Sequence, residues 1–245
     1  MYGVCQSKII VPYKTMNTLY HGTNAKNLNA ILSKGIQPRG KKKGNWDAFP
    51  SRRDMVYLTT AYAPYFAIQS CNSGQKALIL ELDRNNIDQA NLYPDEDFIV
   101  QCLAVQNNQA IEDIHEDIKD TLECYQHHFE DSINGLGNVC YKGVVPSNAI
   151  SRYCLINSKT RSDLMMMSLD PSISLMNYRF CGSRYRSIIS WLFGDRSDFE
   201  IGIGDNETYL EMLERSAPGT KERTMKLFSN REGIEVVDLR SRLVA

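Results

Sequence analysis

The sequence predicts an α+β fold with a β-sheet core flanked by helices. Apolar strand-like segments alternate with helical patterns over residues 17–157. No GxGxxG motif follows any of these strands, and no GxxxxGK[ST] motif is present, which excludes doubly wound dinucleotide-binding and P-loop folds. After residue 157 the signals are weaker and mainly helical. We therefore predict a core of residues 1–157 and a partly helical C-terminal appendage of residues 158–245, a possible interface for substrate or partner.

The composition is that of a globular protein. The chain has 245 residues, 42% of them hydrophobic and 23% charged, with a formal net charge of −1. Near-neutral charge gives no overall electrostatic argument for nucleic acid, and no apolar run approaches the ~20 residues of a membrane span. The first residues lack the pattern of a secretory signal. Seven cysteines without a CxxC pair indicate reduced thiols, so we expect a cytoplasmic protein without a membrane partner.

The first half of the core contains three predicted strands and two predicted helices. Asn24 or Asn27 is placed to cap the first helix, and Gly35 is placed to end it. In chain order we expect a strand over 17–20, this helix, a basic loop over 37–54, a strand over 55–60, a short helix in AYAPYFAIQSC and a strand over 75–83.

The second half begins with an irregular acidic stretch, RNNIDQANLYPDEDFI. An amphipathic helix is expected next, because apolar residues recur at helical spacing: Ile111, Ile114, Ile118, Leu122 and Tyr125. NVCYKGVVPSNAISRYCLI predicts a strand, a turn and a second strand. SIISWLFG and ETYLEMLER predict helices, while EGIEVVDLRSRLVA is compatible with a final strand or a helix.

Three local features can carry chemistry. His21 follows a short strand and precedes Gly22, which would let a ligand approach the backbone. Tyr57 lies within a buried strand and presents a flat ring that can stack on a ligand. Acidic runs surround Glu96 and Glu130. Each feature alone also has an ordinary structural explanation, so their order along the chain matters most.

That order resembles the ADP-ribosyltransferase superfamily, in its poly(ADP-ribose)-polymerase-like branch, which includes RNA 2′-phosphotransferases and nucleic-acid-modifying toxins. The matching series is YHGT, a helix ending in glycine, a basic loop, VYLTT, a short helix, ALILELD and a late strand before VPSNAI. The resemblance implies a split mixed β-sheet with an NAD⁺ site. Phosphotransferases usually carry arginine before the histidine, where this chain has Tyr20, which argues against that subfamily.

The resemblance also implies roles for individual residues. NAD⁺ would be the co-substrate, and no metal would be required. His21 would bond the adenosine ribose, the Gly22 backbone would hold the nicotinamide amide, and Tyr57 would stack on the nicotinamide ring. Further cofactor contacts are expected from Thr23, Asn24 and Tyr65.

The third catalytic position departs from the family pattern. The family usually has glutamate at the head of a late strand, where this chain has Asn138. Either Asn138 substitutes for it, or Glu130 reaches in from the preceding segment, or Glu96 is the acid. The sequence leaves these three alternatives open.

Two basic and aromatic stretches favour a nucleic-acid acceptor, DNA or RNA, because cations neutralise phosphates while rings stack on bases. The candidate contacts are Lys42, Lys43, Trp46, Arg52, Arg53, Arg184 and Arg186. The leading hypothesis is therefore a mono-ADP-ribosyltransferase toxin of bacterial or phage-defence type, with an antitoxin protein as possible partner. The alternatives are transfer to a protein side chain and a non-catalytic module that binds NAD⁺ or ADP-ribose.

Overall fold

The computed structural model describes residues 17–41, 51–111, 113–114, 118, 121–166, 175–198, 211 and 214–240. Its strands are β1 (Thr18–Asn24), β2 (Met55–Thr59), β3 (Ala77–Asp83), β4 (Leu92–Pro94), β5 (Asn138–Lys142), β6 (Ile150–Ile156) and β7 (Ile234–Asp238). Its helices are α1 (Leu28–Lys34), α2 (Ala63–Gln69), α3 (Glu96–Asn107), α4 (Phe129–Gly135), α5 (Ser158–Met166), α6 (Leu175–Phe193) and α7 (Thr220–Asn230). The predicted α+β class is confirmed.

The seven strands form one sheet in the order β4-β5-β2-β1-β3-β6-β7. All pairings among these strands are antiparallel, so the expectation of a mixed sheet is wrong. β1 pairs with β3 over its whole length, from Thr18↔Asp83 to Asn24↔Ala77. In contrast, β1 and β2 share the single aligned pair Tyr20↔Thr59. The two halves of the sheet are therefore joined narrowly, between β1 and β2.

The first strand is longer than the sequence indicated. It continues through His21 and Gly22 to Asn24, so the histidine lies within the strand, opposite Leu80, and not at its end. Asn24 caps the following turn, because its side chain accepts a hydrogen bond from the Lys26 N–H at 3.0 Å. Gly35 ends α1 with a φ of 77°, as expected for a C-terminal glycine.

Helix α3 was missed in the acidic stretch. Asp95 is its N-cap and accepts a hydrogen bond from the Asp97 N–H. Glu96 and Asp97 occupy the first turn, where acidic side chains interact favourably with the helix dipole. The residues that start this helix are present in the sequence PDED, but a run of acidic residues is equally typical of a solvated surface. The amphipathic helix expected next is supported in part: Ile114, Ile118 and Leu122 are buried, whereas Ile111 is exposed. Leu122 and Tyr125 lie in a 3₁₀ helix, Leu122–His128.

Three apolar clusters hold the sheet. Helices α2 and α6 cover one face of β3 and β6, with Tyr62, Tyr185 and Trp191 at the centre. A second cluster is built from residues of β1, β2 and β3 that include Leu19, Leu58 and Leu80. A third packs α3, Ile114 and Ile118 against β2 and β5, with Met55 and Phe98 among its members.

The boundary expected at residue 157 does not separate two cores. Tyr185 and Trp191 of α6 lie in the same cluster as Ile79 of β3 and Cys154 of β6. β7 pairs with β6 from Arg152↔Asp238 to Ile156↔Ile234, so the described part of EGIEVVDLRSRLVA forms a strand, while residues 241–245 lie outside the described residues. The described segments after residue 157 thus complete the sheet and its core.

Candidate functional site

His21 lies in the place where β1 and β2 separate. Its Nδ1 is 2.9 Å from the backbone carbonyl oxygen of Tyr57, so the imidazole bridges the two strands next to their single aligned pair. A carbonyl oxygen only accepts hydrogen bonds, which places the proton on Nδ1 and makes Nε2 an acceptor in the neutral ring. Burial lowers the pKa of His21, against the opposite effect of this hydrogen bond. At neutral pH the residue therefore offers Nε2 to a hydroxyl donor.

Tyr57 is fixed through its hydroxyl. The hydroxyl donates to Oε1 of Glu96 and accepts from the backbone N–H of Arg52 at 2.7 Å. Burial raises the pKa of Tyr57, and the nearby Cys140 and Glu96 raise it further, so the hydroxyl keeps its proton. The half-buried ring is consequently immobilised between α3 and the segment that leads into β2.

Of the three candidates for the third catalytic position, Glu96 is the one whose side chain is hydrogen-bonded to Tyr57 among the described residues. It is buried, with 5% of its surface exposed, and its Oε2 accepts from the Cys140 thiol at 3.4 Å. Burial also raises the pKa of the adjacent Asp95 well above its ordinary value, together with the negative charges of Asp97 and Glu96. The carboxylate of Glu96 is therefore engaged in holding the strand tyrosine.

Glu130 lies elsewhere. Its carboxylate pairs with the guanidinium of Arg84, which follows the end of β3 and lies 5.3 Å from the centre of the Phe129 ring. Arg84 is itself buried, so this ion pair anchors the start of α4 to the far end of β3. The structure does not bring Glu130 into contact with Tyr57.

Asn138 lies at the head of β5, opposite Thr59. It is 6% exposed, and its Oδ1 is buried without a hydrogen-bond partner within the part of the chain that the structure describes. Its backbone carbonyl accepts a hydrogen bond from the Ser132 hydroxyl at 2.8 Å. The Ser132 Oγ in turn accepts from the Asp95 N–H at 3.0 Å. An unsatisfied buried acceptor costs free energy unless a donor arrives, so Asn138 is suited to a ligand hydroxyl or amide.

Gly22 has a packing role that its sequence context did not suggest. A Cβ on this residue would lie 2.1 Å from the carbonyl oxygen of Ala63 and 2.6 Å from the backbone nitrogen of Ala67. Helix α2 thus approaches β1 so closely that only glycine fits. This contact accounts for the glycine without a ligand, so its expected contact with nicotinamide stays a prediction.

The other expected cofactor contacts already have partners in the protein. Thr23 Oγ1 accepts from the Asn27 side chain at 3.0 Å. Asn24 donates to Gln75 Oε1 at 2.6 Å, which ties the end of β1 to the loop before β3. Tyr65 is buried in α2 with its ring edge-on to Phe66. These contacts explain the three residues structurally.

The basic candidates are distributed differently from the prediction. Lys42, Lys43 and Trp46 lie outside the described residues. Arg52 pairs with Glu123 at 2.8 Å and with Asp54 at 3.3 Å, while Arg53 is exposed.

The second patch lies on helix α6. Arg184 is only 5% exposed, and the Arg186 guanidinium donates to the Tyr178 hydroxyl at 3.1 Å. The alternation of arginine and aromatic residues there belongs to a packed helix and not to a surface loop.

The end of β2 and the head of β5 form a polar corner that the sequence analysis did not identify. Thr59 Oγ1 donates to the Gly137 carbonyl at 2.9 Å and accepts from the Ala61 N–H at 3.1 Å. Thr60 Oγ1 is 3.2 Å from the Tyr178 hydroxyl. The contact with Tyr178 joins segments far apart in sequence, so no local pattern could have revealed it.

The class defined by these observations is an α+β protein with a histidine and a tyrosine at a narrow join in an antiparallel sheet. Its described helices include none long and apolar enough to cross a membrane. No group of three or more His, Cys, Asp or Glu side chains suited to a metal ion occurs in the described ranges.

Comparisons with known proteins do not identify a family for this chain. No family model matches the sequence, and no curated protein matches it. Among solved structures the chain is similar to one described as EcPltA, with 9% sequence identity over 59% of this chain and 78% of that chain, at a TM-score of 0.36. A likeness of this size carries no argument about function.

Proposed function

We propose that this protein is an NAD⁺-dependent mono-ADP-ribosyltransferase. The observation that carries the proposal is the bridge from His21 Nδ1 to the Tyr57 carbonyl, 2.9 Å long, at the narrow join of β1 and β2. It supports the pairing of these two residues that the sequence resemblance implies. It also leaves Nε2 of a neutral imidazole to accept a hydrogen bond from a ribose hydroxyl.

The side chains at the join fit the chemistry of the dinucleotide in two respects. His21 Nε2 is suited to the adenosine ribose. Oδ1 of Asn138, which has no hydrogen-bond partner among the described residues, is suited to a hydroxyl donor of the nicotinamide ribose. Cleavage of NAD⁺ releases nicotinamide and leaves cation-like character on the ribose, which an enzyme must stabilise electrostatically. A neutral amide at position 138 supplies an oxygen dipole for this purpose, without the charge of a glutamate.

A second function is favoured by the state of the carboxylates. Glu96 is bound to Tyr57, Glu130 is paired with Arg84, and position 138 is uncharged. A non-catalytic module that binds NAD⁺ or ADP-ribose would need none of the three as a catalytic group. The two functions differ in one measurable property, the release of nicotinamide.

The acceptor is proposed to be a nucleic acid, on the basis of the basic and aromatic sequence over residues 37–54. Arg184 is withdrawn from the set of contacts because it is buried. The setting is proposed to be that of a cytoplasmic toxin with an antitoxin partner. Expression of the wild type but not of His21→Ala should then arrest growth, whereas equal viability would contradict toxicity.

The test measures binding and turnover together on the full chain. Titration calorimetry gives the affinity for NAD⁺, and a labelled dinucleotide reports nicotinamide release and the polymer that receives the label: DNA, RNA or protein. His21→Ala should weaken binding roughly 3- to 12-fold, the size of one neutral hydrogen bond. His127→Ala is the control, because this histidine is exposed and its ring lies beside that of His128, with the ring centres 4.0 Å apart.

The identity of the third residue is tested by three substitutions. Asn138→Asp should raise nicotinamide release if position 138 is the acid position of the family. If Glu96 is the catalytic acid, Glu96→Gln should lower nicotinamide release. If Glu130 is the catalytic acid, Glu130→Gln should lower it instead. Absence of NAD⁺ binding by the wild type would refute the proposed function, and binding without release in every variant would select the non-catalytic module.

A further inference from the structure

Helix α6 presents a stripe of three residues at i, i+4 and i+8, which lie on one helix face. Tyr178 begins the stripe, Gly182 is its centre and Arg186 ends it. A Cβ on Gly182 would stand 3.0 Å from the Tyr178 ring and 3.1 Å from Nη1 of Arg186. Because the glycine leaves this space open, the guanidinium lies back along the helix, with Nη1 3.1 Å from the Tyr178 hydroxyl and Cζ 5.5 Å from the ring centre.

This stripe lies against the polar corner of the candidate site. The Tyr178 hydroxyl is 3.2 Å from Thr60 Oγ1, directly after β2. The Tyr178 ring covers Gly137, where a Cβ would stand 2.3 Å from the ring carbon Cε2. Gly137 precedes Asn138, so Tyr178 connects Arg186 to the residue whose buried Oδ1 has no donor in the described part of the chain.

The charge of Arg186 is not balanced by a carboxylate among the residues that the structure describes. Its hydrogen bond goes to a neutral hydroxyl, whereas Arg52, Arg84 and Arg152 each pair with an acid. A guanidinium is always ionised and only half exposed to water here, so an anion would stabilise it. The planar group is suited to two hydrogen bonds with the oxygens of one phosphate.

We propose that Arg186 binds the diphosphate of the dinucleotide, held in place by Tyr178 and Gly182. This inference rests on the proposed function, because it assigns a protein partner to the phosphates of the same ligand. It also gives helix α6 a part in substrate binding. A phosphate of a nucleic-acid acceptor has the same chemistry, and the experiment separates the two sources.

The experiment compares ligands with and without phosphate on the full chain. Calorimetry is carried out with NAD⁺, ADP-ribose, nicotinamide riboside, inorganic pyrophosphate and a single-stranded DNA. Arg186→Gln should weaken NAD⁺ and ADP-ribose roughly tenfold or more, as expected for loss of a charge-assisted hydrogen bond. Binding of nicotinamide riboside, which has no phosphate, should be unchanged. Arg186→Lys keeps the charge and should recover part of the loss, while Arg196→Gln, on an exposed arginine, should change nothing.

Each contrary result has a distinct meaning. An equal loss for nicotinamide riboside would overturn the inference, because the substitution would then act on the fold of the site. Unchanged NAD⁺ binding would also overturn it, and a loss confined to DNA would assign Arg186 to the acceptor. If the wild type binds pyrophosphate through Arg186 but not NAD⁺, the proposed function fails and the phosphate site stands; if it binds neither, both fail.

Discussion

The packing of α2 on β1 makes Gly22→Ala the sharpest test of the structure. The added Cβ would lie 2.1 Å from the Ala63 carbonyl oxygen and 2.6 Å from the Ala67 nitrogen. Both are backbone atoms, so no side-chain rotation relieves the overlap, and α2 has to move by about 1 Å in a close-packed interior. Overpacking typically costs about 1–3 kcal/mol, and a backbone clash belongs at the upper end, near 3 kcal/mol.

The assay is urea and thermal unfolding of the free protein. A loss of about 3 kcal/mol should lower the melting temperature by roughly 6–12 °C in a domain of this size. Gly74→Ala is the matched control, because Gly74 has open space around it and a φ of 77°, so its cost should be about 1 kcal/mol from backbone strain alone.

The clash on Gly22→Ala cannot be relieved by shortening a side chain of α2. Ala63→Gly or Ala67→Gly should not restore the stability of Gly22→Ala, because the clashing atoms remain. Unfolding of Gly22→Ala within about 0.5 kcal/mol of the wild type would refute the packing argument and return Gly22 to a purely ligand-related role.

Two further predictions concern buried ionisable side chains. The raised pKa of Asp95 means that the folded protein holds a proton that the unfolded chain releases above about pH 4, so stability is lost as the pH rises from there through the folded pKa. Asp95→Asn keeps an acceptor for the Asp97 N–H and should remove this loss in unfolding curves from pH 4 to 8. Asp88→Asn, at an exposed helix cap, should leave this pH dependence unchanged. If stability depends on pH in the same way for Asp95→Asn and the wild type, the expectation is contradicted. Arg152→Met should cost about 3–5 kcal/mol, because it leaves the buried Glu81 without its cationic partner at 2.9 Å. Arg240→Met breaks an exposed pair and should cost less than about 1 kcal/mol. Adding Glu81→Gln should recover most of the Arg152→Met loss in thermal unfolding, and a double variant no more stable than the single would refute the pairing argument.

Much of the fold was predictable because strand signals are local. Strands β2, β3, β5 and β6 were expected close to their observed bounds, since apolar runs between polar turns need no tertiary information. Helix α3 was missed because acidic residues that start a helix look the same in sequence as acidic residues on a solvated surface. The antiparallel arrangement of the sheet depends on strand order, which the patterns did not define.

The site was less predictable than the sheet. His21 and Tyr57 were singled out by their order along the chain, and the structure brings the imidazole to the Tyr57 backbone. The engagement of Glu96 with Tyr57, and of Glu130 with Arg84, depends on contacts between distant segments. Likewise, Arg184 and Arg186 resembled an exposed basic stretch because the alternation of charged and aromatic residues does not show which side of a helix is packed.

The pairing of β7 with β6 has a consequence for synthesis of the chain. On the ribosome, β6 emerges well before residues 234–238, which cover its outer edge. Until then its backbone donors and acceptors have no strand beside them on that side, and an uncovered edge is a template for other chains. A chaperone that shields β6 during translation should therefore raise the yield of folded protein, and fragments that stop before residue 234 should aggregate.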